Sequence, residues 1–142
     1  MAISTAMCTT FKSGLMSAIH NFSNPGGNTF KIALYTSSAV LGASTTAYSA
    51  SNEITGTGYT AGGQALTSVS PTSSGTTAYV DFADVTWPSS TLTANGALIY
   101  NANASNASVI TLSFGSDKST ANGDFTIIFP VSNSTDSIIR IA

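Results

Sequence analysis

Two periodicities divide the chain. From Thr5 to Phe22 the apolar residues Met7, Phe11, Leu15, Ile19 and Phe22 recur at spacings of four and three. That spacing lines them along one face of an α-helix. Lys12, Ser13, Ser17 and Asn21 supply much of the remaining surface. Ser4 or Thr5 offers a hydroxyl to cap the first turn. Asn24-Pro25-Gly26-Gly27 ends the segment, because proline lacks the N–H and glycine permits a reversal. Gly14 weakens the helix from within, so the stripe must dock on apolar surface, either of its own chain or of a neighbouring subunit.

After Gly27 the period changes to two. Phe30, Ile32 and Leu34 alternate with Lys31, Ala33 and Tyr35, a strand with one buried face. A Ser/Thr/Gly/Ala-rich stretch follows, from Thr36 to about Gly63. Its Leu41, Tyr48, Ile54 and Tyr59 argue for an ordered loop with a few anchors rather than a linker. Further strands are expected at 64–69, 77–82, 85–87, 97–100, 109–114, 125–129 and 138–141. Asn95-Gly96 and Asn122-Gly123 read as turn dipeptides. Pro71, Pro88 and Pro130 fall at expected strand ends, where a missing donor does least harm. The pattern predicts a mainly β chain. Residues 1–27 form an N-terminal helix and turn, and residues 28–142 a single antiparallel β-sandwich domain of jelly-roll-like kind.

Composition narrows the function classes. Only 7% of the 142 residues are charged, against about 25% in ordinary soluble domains. Lys12, Lys31, Lys118 and Arg140 are scattered, so no basic patch exists to neutralise phosphates, and nucleic acid is excluded as a partner. No apolar run approaches the roughly 18 residues of a transmembrane helix. The first five residues lack the basic and apolar regions of a secretory signal, so folding in a cytoplasm is expected. Cys8 is the single cysteine, which leaves no intramolecular disulfide and no cysteine metal cluster.

The candidate chemistry is thin. Gly56-Thr57-Gly58-Tyr59-Thr60-Ala61 matches a loose dinucleotide pattern, with Asp81 downstream. Ser51-Asn52-Glu53 is a poor buried strand and Gly62-Gly63 a poor helix start, so the segment reads as a turn-rich loop. His20, the only histidine, sits in the last turn of the expected helix, where a cation complements the dipole. Asp81 and Asp84 are three apart on a strand, would face opposite ways, and read as solvated strand-end carboxylates. Asp117, Asn122 and Asp124 supply oxygens but match no cation-loop spacing. The sequons at Asn21, Asn103, Asn106 and Asn133 follow from a composition rich in Asn, Ser and Thr. Trp87 reads as a core or interface aromatic rather than a sugar platform. No cofactor or metal is implied, and the chain is expected not to be an enzyme.

Several segments together resemble a group of small tailed-bacteriophage virion proteins. They are 30–36 (Phe-Lys-Ile-Ala-Leu-Tyr-Thr), 53–63 (the Gly/Thr-rich loop), Trp87-Pro88, 96–101, 114–118 and 123–130. The resemblance runs from about Phe11 to the C-terminus. It implies a structural role in the virion without catalytic residues: a head decoration or cement subunit on the major capsid protein, or a tail or tail-fibre module facing the host. A homo-oligomer is expected, with a trimer as first choice. Met7, Phe11, Leu15, Ile19 and Phe22, with Ile54 and Tyr59 in the central loop, are the candidate partner-contact residues.

Overall fold

The computed structural model describes residues 2–142. The first half of the chain forms β1 (Ala6–Met7), α1 (Thr9–Met16), β2 (Phe30–Tyr35), β3 (Gln64–Ala65) and β4 (Ser68–Ser74). The second half adds β5 (Thr77–Phe82), β6 (Val85–Ser90), β7 (Thr93–Asn101), β8 (Ala107–Ser119), β9 (Gly123–Ile127) and β10 (Ile139–Ile141). The chain is thus mainly β with one short helix. The strands make a five-stranded sheet in the order β1-β8-β7-β2-β3, a three-stranded sheet β10-β5-β4 and a two-stranded sheet β6-β9. Every pairing between these strands is antiparallel.

Alternation along the central strands explains how the core divides. Phe30, Ile32 and Leu34 of β2 and Ala97 and Ile99 of β7 point to one side of the large sheet. There they join Val80 and Phe82 of β5, Trp87 of β6, Phe125 of β9 and Ile139 of β10 in one apolar cluster. Ala33 and Tyr35 of β2 and Leu98 and Tyr100 of β7 point to the other side and pack with Ile3, Ala39 and Leu41. The expectation of one buried face on β2 is therefore corrected. Both faces are buried, the second because residues 36–52 and the N-terminal segment fold over it. The loop is ordered, as its anchors imply: Leu41 and Ile54 are buried, and Tyr48 stacks on Tyr100 at 4.8 Å.

The N-terminal helix is shorter than the expected span of Thr5 to Phe22, because strand pairing claims its beginning. Ala6 and Met7 pair with Thr111 and Ile110 of β8. Thr5 Oγ1 accepts the Ser113 amide at 2.9 Å instead of capping a helix. The helix starts after Cys8 and ends at Ser17 with a left-handed Ala18 at φ 57°. The Ile19 amide bonds the Gly14 carbonyl at 2.9 Å and the Ala18 amide bonds that of Leu15 at 3.2 Å. This is a Schellman closure with alanine where glycine is usual, which is why the sequence gives no stop signal there.

Three turn and proline expectations also change. Asn95-Gly96 lies inside β7, at an irregularity where Ala94 opposes Lys118 but Gly96 opposes Ser113. A Cβ at Gly96 would overlap the Leu112 carbonyl and the Ile3 side chain, so glycine here serves close approach, not a turn. Pro71 and Pro88 lie within β4 and β6, each at a register shift where one ladder bond is already lost.

Candidate functional site

The most connected polar feature is built on Glu53. Gly56, Gly62 and Gly63 let the chain turn back sharply after it; Gly63 has φ +76°, and a Cβ there would run into the Ile32 carbonyl. The return brings three donors onto one carboxylate. Tyr59 Oη and the Gly62 amide donate to Oε1 at 2.6 and 2.7 Å, and Tyr48 Oη donates to Oε2 at 2.6 Å. Tyr59 Oη in turn accepts the Leu34 amide at 2.9 Å, and Tyr100 Oη donates to the Gly62 carbonyl at 2.6 Å. Tyr35 Oη donates to the Ser49 carbonyl at 2.6 Å. The loop is thereby bonded to β2 and β7.

Burial and the Glu53 charge both disfavour phenolates in this network. Burial first, then the bond to Glu53, pushes Tyr48 up to about 12. The same causes raise Tyr59 further. Burial and the field of Glu53 raise Tyr35 and Tyr100 as well. The arrangement is that of a carboxylate holding three donors of its own loop, which fixes the loop against the sheet.

The candidate contact residues are mostly spent on the chain's own core. Phe11 has no exposed surface, and Phe22 and Ile54 are buried. Met7 lies on β1 rather than on the helix; it, Leu15 and Tyr59 are partly buried against the same cluster. The helical stripe breaks after Leu15. Ile19 lies beyond the helix and is 49% exposed, and Phe22 reaches the core from the loop by stacking on Phe30 at 4.2 Å. Beside this reversal lies an apolar groove of about 460 Å³, lined by Leu15, Ala18, His20, Phe22, Tyr79 and Ile141 among others. A second groove, of about 600 Å³, lies along Phe114, Lys118, Asp124, Phe125 and Ile127.

The titratable candidates fall elsewhere. His20 is not in a helical turn, and burial lowers its proton affinity, so the reading as a dipole-capping cation is corrected. Asp81 is not solvated: it is fully buried, Oδ1 accepts the Phe82 amide at 2.8 Å, and Oδ2 has no hydrogen-bond partner. Burial raises its pKa, and the nearby Phe82 and Ile138 amides oppose that rise. Asp84 is exposed and accepts the Phe129 amide at 2.8 Å; its charge is a further, smaller cause of the rise at Asp81.

Asp117 accepts Asn95 Nδ2 at 2.9 Å and Asp124 the Ser89 amide at 3.2 Å. Among the described residues no group of three or more His, Cys, Asp or Glu side chains is arranged to hold a metal ion. No helix among them is long and apolar enough to cross a membrane. The Gly56–Ala61 segment precedes no helix; it turns, with the Tyr59 amide on the Gly56 carbonyl at 3.2 Å. Trp87 is buried against Tyr59 and Phe125, a core residue. No known protein family, curated protein or solved structure matches this chain.

Proposed function

We propose that the chain is a non-enzymatic structural subunit of a bacteriophage virion, a capsid decoration or cement protein seated on the major capsid protein. The observation that carries the reading is a mainly β body in which only 7% of the residues are charged. Its ordered loop is tied to the sheet through one carboxylate and four tyrosine hydroxyls. Hydroxyls and amides replace ion pairs on the surface, so contacts made there depend little on salt. Met16, Ile19, Ile128, Val131 and Ile141 stay exposed as apolar points that a neighbouring subunit can desolvate.

We read the large sheet facing the two small ones across their common cluster as a sandwich of jelly-roll-like kind. Closed symmetry suits a repeating lattice, and a trimer is the proposed state. The resemblance of the segments around β2, the central loop and β9 to virion proteins of tailed phages supports the same reading.

The test is to mix the purified chain with phage particles that lack it and sediment them. Saturable co-sedimentation at fixed stoichiometry, persisting when salt is raised, is expected. Failure to bind particles and their isolated capsid protein overturns the decoration role. Binding to isolated tails alone transfers the chain to the tail.

A further inference from the structure

The single histidine stands in a hydrogen-bond chain with a fixed direction. The Asn21 amide donates to Asn28 Oδ1 at 2.8 Å. The Asn103 amide donates to Asn101 Oδ1 at 3.0 Å. Both side-chain oxygens are thus set by backbone N–H groups, which have only a proton to offer. Asn101 Nδ2 must then be the group that faces Asn28 Oδ1 at 2.9 Å and His20 Nδ1 at 3.1 Å. His20 Nδ1 is consequently an acceptor and carries no proton.

The ring is also sterically seated. It packs on Phe11 at 4.9 Å and Phe30 at 6.3 Å between ring centroids. Its Nε2 edge occupies the space that a Cβ on Gly14 would need. The groups around it from α1, β2 and β7 are uncharged: Phe11, Gly14, Phe30 and Asn101. Lys12 on α1 and Arg140 on β10 are exposed, and Tyr79 of β5 is the other titratable residue lining the groove. Among the described residues no carboxylate lines the groove beside the ring.

We propose that His20 is an acid-sensitive latch: protonating Nδ1 sets two donors against each other at Asn101, ejects the ring and frees the turn of residues 17–21, widening the apolar groove beside it. The released part is bounded. Asn24 is held independently on β4, its amide on Ser70 Oγ at 2.9 Å and its Nδ2 on the Ser68 carbonyl at 2.8 Å. Opening therefore stops before Asn24 and exposes Phe11 and Leu15 to whatever lies over the groove.

The sign is fixed by burial, which lowers the proton affinity of the closed ring below the ordinary 6.5. The latch is fully shut above the pKa of the open ring and is lost as pH falls through that of the closed one. Between those two values the opening constant rises up to about ten-fold per pH unit.

The experiment is residue-resolved amide hydrogen exchange, corrected for intrinsic rates, with an NMR titration of the one imidazole. A ring midpoint below 6.5 is expected, with exchange at Asn21 and at Asn28, whose amide donates to the Asn21 carbonyl at 2.7 Å, rising as pH falls from 7 to 5 while Asn24 stays unchanged. His20→Gln, whose Oε1 can accept from Asn101 but cannot titrate, should keep Asn21 and Asn28 flat. A ring titrating at or above 6.5, flat exchange in the native chain, or an equal rise in His20→Gln overturns the latch. Should His20→Gln not fold, the native chain's imidazole titration and the contrast between Asn21 and Asn24 still decide.

Discussion

Replacing Glu53 probes the junction on which the central loop hangs. Glu53→Ala leaves the Tyr48 and Tyr59 hydroxyls and the Gly62 amide without their acceptor. Hydrogen bonds to a charged group contribute about 1.5–3 kcal/mol each. Three such bonds do not add fully, because Tyr48 and Tyr59 are only partly buried and water can reach them once the loop loosens. Gly62 is buried and has no such relief. The expected net cost is about 3–5 kcal/mol. Glu53→Gln keeps an oxygen for Tyr59 and Gly62 and turns only the Tyr48 bond around, so about 1–2 kcal/mol is expected. Urea unfolding of the three proteins measures both numbers. Tyr48→Phe combined with Glu53→Gln should show a coupling of about 0.5 kcal/mol or more. Glu53→Ala costing under about 1 kcal/mol would refute the idea that this carboxylate holds the loop.

Other consequences are as direct. Phe11→Ala removes a fully buried ring that meets Phe22 edge-on at 5.9 Å; it should cost about 3–5 kcal/mol and lower the melting temperature of the isolated protein. An unchanged melting curve would contradict the packing of this ring in the chain's own core. Ala18→Gly relieves a left-handed alanine at the helix end and should stabilise by about 1 kcal/mol in the same urea assay. Tyr35, Tyr48, Tyr59 and Tyr100 are pushed above the ordinary 10, Tyr48 up to about 12, so their contribution is complete below pH 10 and is lost as pH rises through each folded value, first near 12 for Tyr48. Phenolate absorbance should therefore lag behind that of the unfolded chain and rise together with alkaline unfolding; early ionisation of these four rings in a folded protein would contradict the network.

What the sequence disclosed follows from the range of the interactions. Alternation placed β2 and β5 at their observed ends, because each is a run of apolar residues with a clear period. Alternation gave only one face of β2, since Ala33 and Tyr35 are buried by a loop whose covering residues carry no period. The N-terminal stripe looked like one helix because Met7, Phe11 and Phe22 do share a core. They reach it from a strand, a helix and a loop, and the strand exists only through pairing with β8, far along the chain. The Glu53 cluster had a faint local sign: one acid in a charge-free stretch, with Tyr48 and Tyr59 nearby. The His20 chain had none, because its partner Asn101 is 81 positions away. Asp81 seemed solvated because carboxylates usually are, yet on β5 it is fully buried, and no residue beside it in the sequence announces that.

The central claim is that this chain is a repeated part of a phage shell. Quantitative mass spectrometry of washed virus particles, from a culture in which the chain is produced, tests it most directly. The chain is expected to remain bound through high-salt washing, in a copy number comparable to that of the major capsid protein. Its absence from washed particles, with the protein found only free in the lysate, would contradict the claim.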